Sequence, residues 1–262
     1  MRLLPRSFLS GSSEGSPTLP RRYRAPFVAL TCVLATQHRG IDVHAAITSG
    51  RVLVDGRLIT NPAARVRRDA AVRLLPERRL RGEVKLAHAL GALEVPVAGR
   101  VALDVGASAG GFTAALLNAG TRRVYAVDAG VGQLLGRLRA DPRVVNLEGH
   151  NLGGLNAELV PERLGAVTMD LSYLPLAEAL PQLASLQFTP DAQLLVLVKP
   201  TFELRRPTLV HRPEDVQAAV AVVSVVLRRC GWTPVGTTPA PRTGRRGAVE
   251  VFVHATIVPA PA

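Results

Sequence analysis

From residue 100 onward, short apolar runs alternate with longer segments of helical periodicity. The apolar runs predict seven strands, at 101–105, 123–127, 144–147, 166–170, 193–198, 232–238 and 249–257. A glycine-rich turn after the first strand leads into a helix from Gly111, and the longest helix is predicted over 213–230. This alternation is typical of an α/β fold, in which helices cover both faces of a parallel sheet.

Residues 27–76 show the mixed pattern of a small α+β unit. It is predicted to contain two helices, a hairpin and a short strand, at 27–36, 42–49, 51–60 and 71–75. Gly50 is placed to end the second helix in a left-handed conformation. Asp55-Gly56 lies between two apolar runs, which is a strong hairpin signal. The sequence therefore predicts a small unit ahead of the larger α/β domain.

Four segments follow from these patterns. They are a disordered extension rich in Ser, Pro, Gly and Arg (1–26), the small unit (27–76), a linker with a lead helix over 83–93 that carries Lys85 (77–99), and the α/β domain (100–262).

Charge is concentrated at the start of the chain. The formal net charge is +12; residues 1–99 hold 16 Lys or Arg against 7 Asp or Glu, a net of +9, and residues 100–262 hold 16 against 13, a net of +3. This asymmetry favours a polyanionic partner, nucleic acid ahead of an acidic membrane surface. A solvated basic face would give the same asymmetry. Aromatic residues make up only 4% of the chain, which favours recognition of RNA shape and backbone over base stacking.

Cysteine, histidine and hydropathy patterns exclude several classes. Cys32 and Cys230 are isolated, so no disulfide framework is expected, and this fits a reducing, cytoplasmic compartment. The six histidines lack ligand spacing, so no metal is expected. The longest apolar stretch, 218–227, is about half of the roughly 20 residues that span a bilayer. We therefore expect no stable membrane association.

Only two of the 32 basic residues are lysines, Lys85 and Lys199. Arginine supplies positive charge but does not readily lose a proton, whereas lysine can serve as a base once it is partly buried. The alternative explanation is that both lysines lie on solvated faces by chance and have no chemical role. The bias marks both residues as candidates for chemistry.

The turn after the first strand of the α/β domain predicts a nucleotide site. Its glycines, Gly106, Gly110 and Gly111, allow a tight turn, and the following helix directs free N–H groups at a ligand. Asp128 ends the next strand, where a carboxylate can bind both hydroxyls of a ribose. Ser108 stands where a dinucleotide fingerprint needs its second glycine. The turn suits a ligand with a ribose and an amino-acid tail, such as S-adenosylmethionine, although an ordinary strand–helix turn remains an alternative.

Three further polar residues fall at or near strand ends. Asp170 and Lys199 end the fourth and fifth predicted strands, and Glu250 interrupts the last one. Open α/β sheets bind ligands at the carboxyl ends of their strands. A helix cap would also account for Asp170, and an edge position for Glu250. Together with the two lysines, they predict one site.

These motifs resemble the TlyA family, whose members are named both as hemolysins and as ribosomal RNA 2′-O-methyltransferases. Residues 27–76 resemble the RNA-binding domain named after ribosomal protein S-four, especially at 49–56. Residues 80–257 resemble the FtsJ-type class I methyltransferase domain. The resemblance implies a Rossmann-like, mostly parallel seven-stranded sheet with an antiparallel last strand, and S-adenosylmethionine as cofactor.

The resemblance also implies roles for individual residues. Lys85, Asp170, Lys199 and Glu250 match a catalytic Lys-Asp-Lys-Glu tetrad for ribose 2′-O-methylation. The residues that match the methyl-donor site are Asp104, Gly106, Ala107, Ser108, Gly110, Gly111, Phe112, Asp128, Asn151 and again Asp170. Lys199 is expected to accept or steer the hydroxyl proton, and Asp170 to hold it in line.

Four positions depart from the family's pattern. Leu80, Glu83, Ala109 and Ala248 replace a Ser, a small residue, a Thr and an Asn. None is a tetrad position. The departures bear on the hydrogen bonding around Lys85, on donor affinity and on turnover.

The expected activity is therefore S-adenosylmethionine-dependent 2′-O-methylation of ribosomal RNA, with cytidine as the nucleotide that the resemblance suggests. Arginines of the small unit would bind phosphates in ribosomal RNA or ribosomal subunits: Arg51, Arg57, Arg65, Arg67 and Arg68. A monomer is favoured. The alternatives are a ribosome-associated RNA-binding protein without turnover, a membrane-lytic hemolysin, and a nicotinamide-dependent enzyme. Lack of a spanning segment disfavours the second, and Ser108 disfavours the third.

Overall fold

The computed structural model describes residues 26–76, 79–206, 212–241 and 247–257. The chain divides into two compact units, Met1–Pro76 and Glu77–Ala262. Apart from Pro26, the predicted extension over 1–26 lies outside the described residues.

The described part of the first unit contains two helices and five short strands. They are β1 (Phe27–Ala29), α1 (Leu30–Gln37), α2 (Val43–Thr48), β2 (Val52–Val54), β3 (Arg57–Ile59), β4 (Arg65–Arg67) and β5 (Val72–Leu74). Strand β1 pairs with β4, and β3, β2 and β5 form a three-stranded sheet in that order. A small core of fully buried side chains, including Leu30, Leu34, Ile47 and Val52, holds the helices against the strands.

Local signals position these elements. Asp42 caps α2 by accepting a hydrogen bond of 2.9 Å from the Ala45 N–H, and Gly50 follows the helix with a φ of +70°. Asp55 and Gly56 both adopt positive φ, +48° and +78°, as a two-residue hairpin turn requires. The predicted hairpin is therefore present, with β2 and β3 as its strands.

The start of this unit differs from the sequence prediction. Residues 27–29 form strand β1 rather than the first turn of a helix, because they pair with β4, in register Val28↔Val66. Strand β4 is distant in sequence and was not itself predicted. The helical periodicity alone therefore placed the start of α1 at residue 27, three residues too early.

The described part of the second unit has six helices and seven strands. They are α3 (Arg81–Ala92), β6 (Val101–Val105), α4 (Gly111–Asn118), β7 (Arg123–Asp128), α5 (Gly136–Arg139), β8 (Val144–Glu148), β9 (Leu164–Met169), α6 (Leu176–Ala179), β10 (Phe188–Val198), α7 (Pro200–Glu203), α8 (Pro213–Arg229), β11 (Trp232–Pro239) and β12 (Val251–Ile257). Two 3₁₀ turns lie at Leu152–Gly154 and Leu180–Ser185.

The strands of the second unit form one sheet in the order β11-β12-β10-β9-β6-β7-β8. Strand β12 is antiparallel to both neighbours, and the β10-β9, β9-β6, β6-β7 and β7-β8 pairs are parallel. The expected α/β class and mostly parallel seven-stranded sheet are confirmed. The order reverses between β6 and β9, which places the topological switch point beside the carboxyl end of β6.

Helices cover both faces of this sheet. One face packs against α6 and α8 through buried residues such as Leu176 and Val223. The other packs against α3 and α4 through Leu86 and Phe112. Burial on both faces explains why β6 and β9 are apolar along almost their whole length.

The sequence suggested that Glu250 interrupts the last strand, but in the structure Glu250 lies outside that strand. Strand β12 begins at Val251, and Glu250 precedes it, with its carbonyl oxygen accepting a hydrogen bond of 2.9 Å from the Ala240 N–H. The carboxylate therefore lies at the amino end of an antiparallel strand, which is the edge of the sheet where the parallel strands end.

Candidate active site

A cavity of about 800 Å³ opens at the carboxyl ends of β6, β9 and β10. Its walls come from the start of α3, the loop after β6, the segments after β9 and β10, and the residues before β12. All four residues of the predicted tetrad line it, namely Lys85, Asp170, Lys199 and Glu250. Segments far apart in sequence therefore meet at the switch point of the sheet, where α/β folds bind ligands.

Two of these residues, Lys199 and Asp170, form one ion pair on adjacent strand ends. The Lys199 Nζ lies 2.6 Å from an Asp170 carboxylate oxygen, and the two side chains are 19% and 26% exposed. Lys199 also donates to the Leu171 carbonyl oxygen and to the Ser172 hydroxyl, both at 2.8 Å. The ammonium is thus fixed at the edge of the cavity.

The second ion pair joins Lys85 on α3 to Glu250 before β12. Both side chains are nearly buried, 10% and 6% exposed. A charge buried to this degree is stable only with a partner. The pair therefore fixes α3 against the start of β12 and presents both charges to the cavity wall.

The loop after β6 contains two close backbone approaches and one left-handed glycine. A Cβ atom at Gly106 would lie 2.5 Å from the Asp170 carbonyl oxygen, and Gly106 has a φ of +83°. A Cβ atom at Gly111 would lie 2.9 Å from the Gly82 Cα. Gly110, with a φ of +90°, precedes α4 in the left-handed conformation. These glycines allow the loop to pack against other protein segments, and their contact with a methyl donor stays a prediction.

Helix α4 begins at this loop with no side-chain cap, and its first residues, Gly111 and Phe112, line the cavity. Uncapped N–H groups and the positive end of the helix dipole favour a carboxylate at this position. Ala107 and Ser108 line the same wall. The Ala107 and Ser108 N–H groups already bond to the Val127 carbonyl oxygen and the Asp128 carboxylate, so the backbone donors that face a ligand are those at the start of α4.

Asp128 lies beside the loop, although it is not among the described residues that line the cavity. Its two carboxylate oxygens accept hydrogen bonds of 2.8 Å from the Ser108 and Gly130 N–H groups. A carboxylate has about four lone-pair positions, so each oxygen can accept a further hydroxyl donor. Asn151 is exposed and follows His150, whose N–H bonds to the Asp128 carbonyl oxygen at 3.2 Å. Asp128 and Asn151 thus form a neighbouring polar group.

Asp104 belongs neither to the residues that line the cavity nor to the polar group of Asp128 and Asn151. It is fully buried in β6, and its oxygens accept hydrogen bonds from the Thr113 and Thr168 hydroxyls at 2.6 and 2.9 Å. Burial, with a smaller contribution from the nearby charge of Asp170, raises the pKa of Asp104 to about 6 against the lowering effect of these two hydrogen bonds. Asp104 therefore ties α4 to β6 and β9 beneath the site instead of lining the cavity.

Two departures from the family's pattern, Leu80 and Glu83, are linked. Leu80 cannot cap α3 with its side chain, and Glu83 accepts a hydrogen bond of 3.3 Å from the Leu80 N–H instead. The other Glu83 carboxylate oxygen accepts a hydrogen bond of 3.2 Å from the side-chain amide of Asn118, the last residue of α4. The other two departures, Ala109 and Ala248, line the cavity without polar side chains.

Several cavity residues were not identified from the sequence. Ser172 contacts Lys199, and Phe202, Arg205 and Arg206 lie on the wall after β10. Beside these residues in the chain, burial and, to a lesser extent, the Asp128 charge raise the pKa of the Tyr173 phenol. Ser172 was within reach of sequence reasoning, since it follows Asp170 in the same segment.

The predicted RNA-binding arginines all belong to the first unit. Arg57, Arg65, Arg67 and Arg68 are exposed, and Arg51 is half-buried. Arg67 lies within 3.8 Å of Asp55 and 3.4 Å of Asp69, which partly neutralise it. Among the described residues, no cluster of His, Cys, Asp and Glu could bind a metal, and no helix is long and apolar enough to cross a membrane.

Comparison with known proteins extends this description. The family model for FtsJ-like methyltransferases matches residues 78–256. The 16S/23S rRNA (cytidine-2′-O)-methyltransferase TlyA of Mycobacterium tuberculosis is 39% identical over 216 residues, which cover 79% of this chain and 80% of that protein. Hemolysin A of Brachyspira hyodysenteriae is 30% identical and covers 79% and 90%.

Two solved structures are similar to this chain. A Streptococcus thermophilus protein named as a hemolysin superposes with a TM-score of 0.66 at 27% identity and covers 90% of each chain. A Lactococcus lactis protein named in the same way gives a TM-score of 0.65 at 32% identity, over 69% of this chain and 89% of that one.

Proposed function

This chain belongs to the TlyA family of FtsJ-like methyltransferases, and we propose that it transfers a methyl group from S-adenosylmethionine to the 2′-hydroxyl of a cytidine in ribosomal RNA. The observation that carries the proposal is the meeting of two lysine–carboxylate pairs, Lys85–Glu250 and Lys199–Asp170, in one cavity beside a glycine-rich loop. The ribosomal RNA and cytidine parts rest on the similarity to the M. tuberculosis protein.

The residues present fit the methyl donor. The uncapped start of α4 suits the carboxylate of an amino-acid tail, and the unused lone pairs of Asp128 suit the hydroxyls of a ribose. Asn151, next to this group, would contact the base. When bound, S-adenosylmethionine supplies an electrophilic methyl group on a sulfonium sulfur.

The chain's own residues position the acceptor and remove its proton. A ribose hydroxyl is a poor nucleophile and must lose its proton as the new bond forms. Lys199 receives that proton, and Asp170 holds its amine in place at 2.6 Å. Lys85 and Glu250, which line the same cavity, orient the ribose. Positioning in line with the methyl group then supplies a large part of the rate enhancement.

The first unit would bring the RNA to this cavity. Its exposed arginines Arg57, Arg65 and Arg68 offer phosphate contacts, which are sequence-independent and sensitive to salt. Selection of one cytidine would then depend on the fold of the RNA around it.

The decisive experiment incubates the purified chain and labelled S-adenosylmethionine with small subunits, large subunits or deproteinised ribosomal RNA. We expect label at a cytidine, with the adjacent phosphodiester resistant to alkali because its 2′-hydroxyl is blocked. Label on a base, or no transfer to any of the three substrates, would contradict the proposal. Comparison of the three substrates shows whether the assembled subunit is required.

A further inference from the structure

The Lys199 ammonium has a partner for each of its three N–H bonds. The Asp170 carboxylate accepts at 2.6 Å, and the Leu171 carbonyl oxygen and the Ser172 hydroxyl each accept at 2.8 Å. Lysine has three donors and no acceptor in its charged form. In this arrangement, no N–H of Lys199 remains for a substrate, so a direct contact with the acceptor hydroxyl requires the loss of a partner.

The three partners differ in chemistry. A carboxylate and a carbonyl oxygen only accept hydrogen bonds, whereas a serine hydroxyl both accepts and donates. When Lys199 is neutral, it has two N–H bonds and one lone pair. The two N–H bonds satisfy Asp170 and Leu171, because these cannot donate. The lone pair is left facing Ser172, which turns its O–H toward it.

The position of Ser172 suits an exchange with the cavity. Ser172 and Lys199 both line the cavity, and Ser172 is exposed on the segment after β9. Leu171, which is only 4% exposed, anchors this segment in the core. Ser172 therefore both contacts the Lys199 amine and lines the cavity in which a substrate would bind.

We propose that Ser172 relays the proton of the acceptor hydroxyl to Lys199, an inference that rests on the proposed function. As the ribose oxygen bonds to the methyl group, the methyl–sulfur bond of the donor would break and leave its electron pair on sulfur. The O–H bond of the ribose breaks, and a new O–H bond forms on Ser172. The original Ser172 O–H bond breaks at the same time, and its proton forms the third N–H bond of Lys199. Ser172 ends as it began, and Lys199 ends as an ammonium that later returns its proton to water.

The contact itself can be tested without any activity. The chain has only two lysines, Lys85 and Lys199, so ¹⁵N-lysine labelling gives two Nζ signals, assigned with Lys85→Arg and Lys199→Arg. In Ser172→Ala, we expect the Lys199 signal to shift and that of Lys85 to stay in place. An unchanged Lys199 signal would overturn the proposal.

The relay is tested by kinetics on ribosomal RNA. Ser172→Ala should lower kcat roughly 100-fold with little change in KM, and Ser172→Thr should retain most of the rate. Ser185→Ala is the matched control, because the Ser185 hydroxyl bonds to the Leu155 and Gln182 carbonyl oxygens and Ser185 is not among the cavity residues in the described part of the chain. The rate in mixtures of light and heavy water should curve for the wild type, with two protons in motion, and become linear in Ser172→Ala.

Wild-type rates in Ser172→Ala, or an equal loss in Ser172→Thr, would overturn the relay while leaving the proposed function intact. A wild-type protein that transfers no methyl group to any ribosomal RNA would instead contradict the proposed function. The lysine signals would still report on the Ser172 contact in that case, so the two failures are distinguishable.

Discussion

The Lys85 ammonium on α3 is paired with the Glu250 carboxylate, 165 positions further along the chain. Both side chains are nearly buried, so each charge depends on the other. Lys85→Met should lower the free energy of unfolding by about 3–5 kcal/mol, because it leaves a buried carboxylate without a partner. The double variant Lys85→Met/Glu250→Leu should recover most of this loss and remain inactive. Urea denaturation of both single variants and the double variant measures the coupling; additive losses would contradict it.

Lys199→Arg should retain the positive charge beside Asp170 and abolish turnover. Arginine is not deprotonated in proteins, so it cannot take up the proton of the acceptor hydroxyl. We expect the methylation rate to fall at least about 100-fold, while calorimetry shows unchanged binding of S-adenosylmethionine. A normal rate in this variant would exclude Lys199 as the base.

Gly106→Ala should disturb the site, because its Cβ atom would lie 2.5 Å from the Asp170 carbonyl oxygen and its φ is +83°. We expect a loss of roughly 1–3 kcal/mol in stability and a strong loss of activity. Gly91→Ala is the matched control: nothing lies within 4 Å of its Cβ position inside α3, so it should be neutral or stabilising by up to about 1 kcal/mol. Thermal unfolding and methylation assays on both variants give the comparison, and equal effects would refute the packing argument.

Asp104 should make stability depend on pH. Burial raises its pKa from 3.8 to about 6, so the folded chain keeps a proton that the unfolded chain releases near pH 4. Between about pH 4 and 6 this residue therefore lowers the free energy of unfolding as pH rises, by roughly 3 kcal/mol in total, and its effect is constant above pH 6.

Asp104→Asn isolates this effect from the other titrating groups. Asparagine keeps the shape and can still bond to the Thr113 and Thr168 hydroxyls. The stability of the variant relative to the wild type should rise between pH 4 and 6 in urea denaturation experiments. A difference that is the same at every pH would show that Asp104 does not titrate in this range.

Arg68→Ala should weaken RNA binding and reduce the slope of log K against log salt by about one unit, as expected for the loss of one phosphate contact. Arg122→Ala is the control, since Arg122 is paired with Glu162 at 2.9 Å and precedes β7, at the opposite edge of the sheet from the cavity. Filter binding at several salt concentrations measures both slopes. Equal slopes for Arg68→Ala and the wild type would exclude that contact.

The α/β domain was predictable because its signals are local. Strand β6 and the start of α4 match the sequence prediction to the residue, since a buried parallel strand is continuously apolar and a glycine turn marks its end. Strand β1 was missed because its three residues are defined by pairing with β4, and no local pattern records that pairing.

The sequence predicted four residues that line the cavity, but not the contacts that these residues make. Glu83 was expected to alter the setting of Lys85. Residues that are two positions apart on a helix point about 200° away from each other. Glu83 therefore contacts Asn118 on α4, whereas Lys85 contacts Glu250. Asp104 belongs to the donor motif by sequence, and only the packing of two threonines around it shows that it lies beneath the site. Ser172 follows Asp170 by two residues, but its contact with Lys199 could not be predicted, because it arises where two strands end side by side.

Strand β12 lies between β10 and β11, which both precede it in the chain. During synthesis, β11 therefore emerges before the strand on which it pairs, and Glu250 leaves the ribosome immediately ahead of that strand. A nascent chain that has exposed Lys85, Asp170 and Lys199 still lacks the partner of Lys85. The cavity is complete only after β12 has paired with β10 and β11. Partly synthesised chains should therefore be unable to methylate RNA in the ribosomes that produce them.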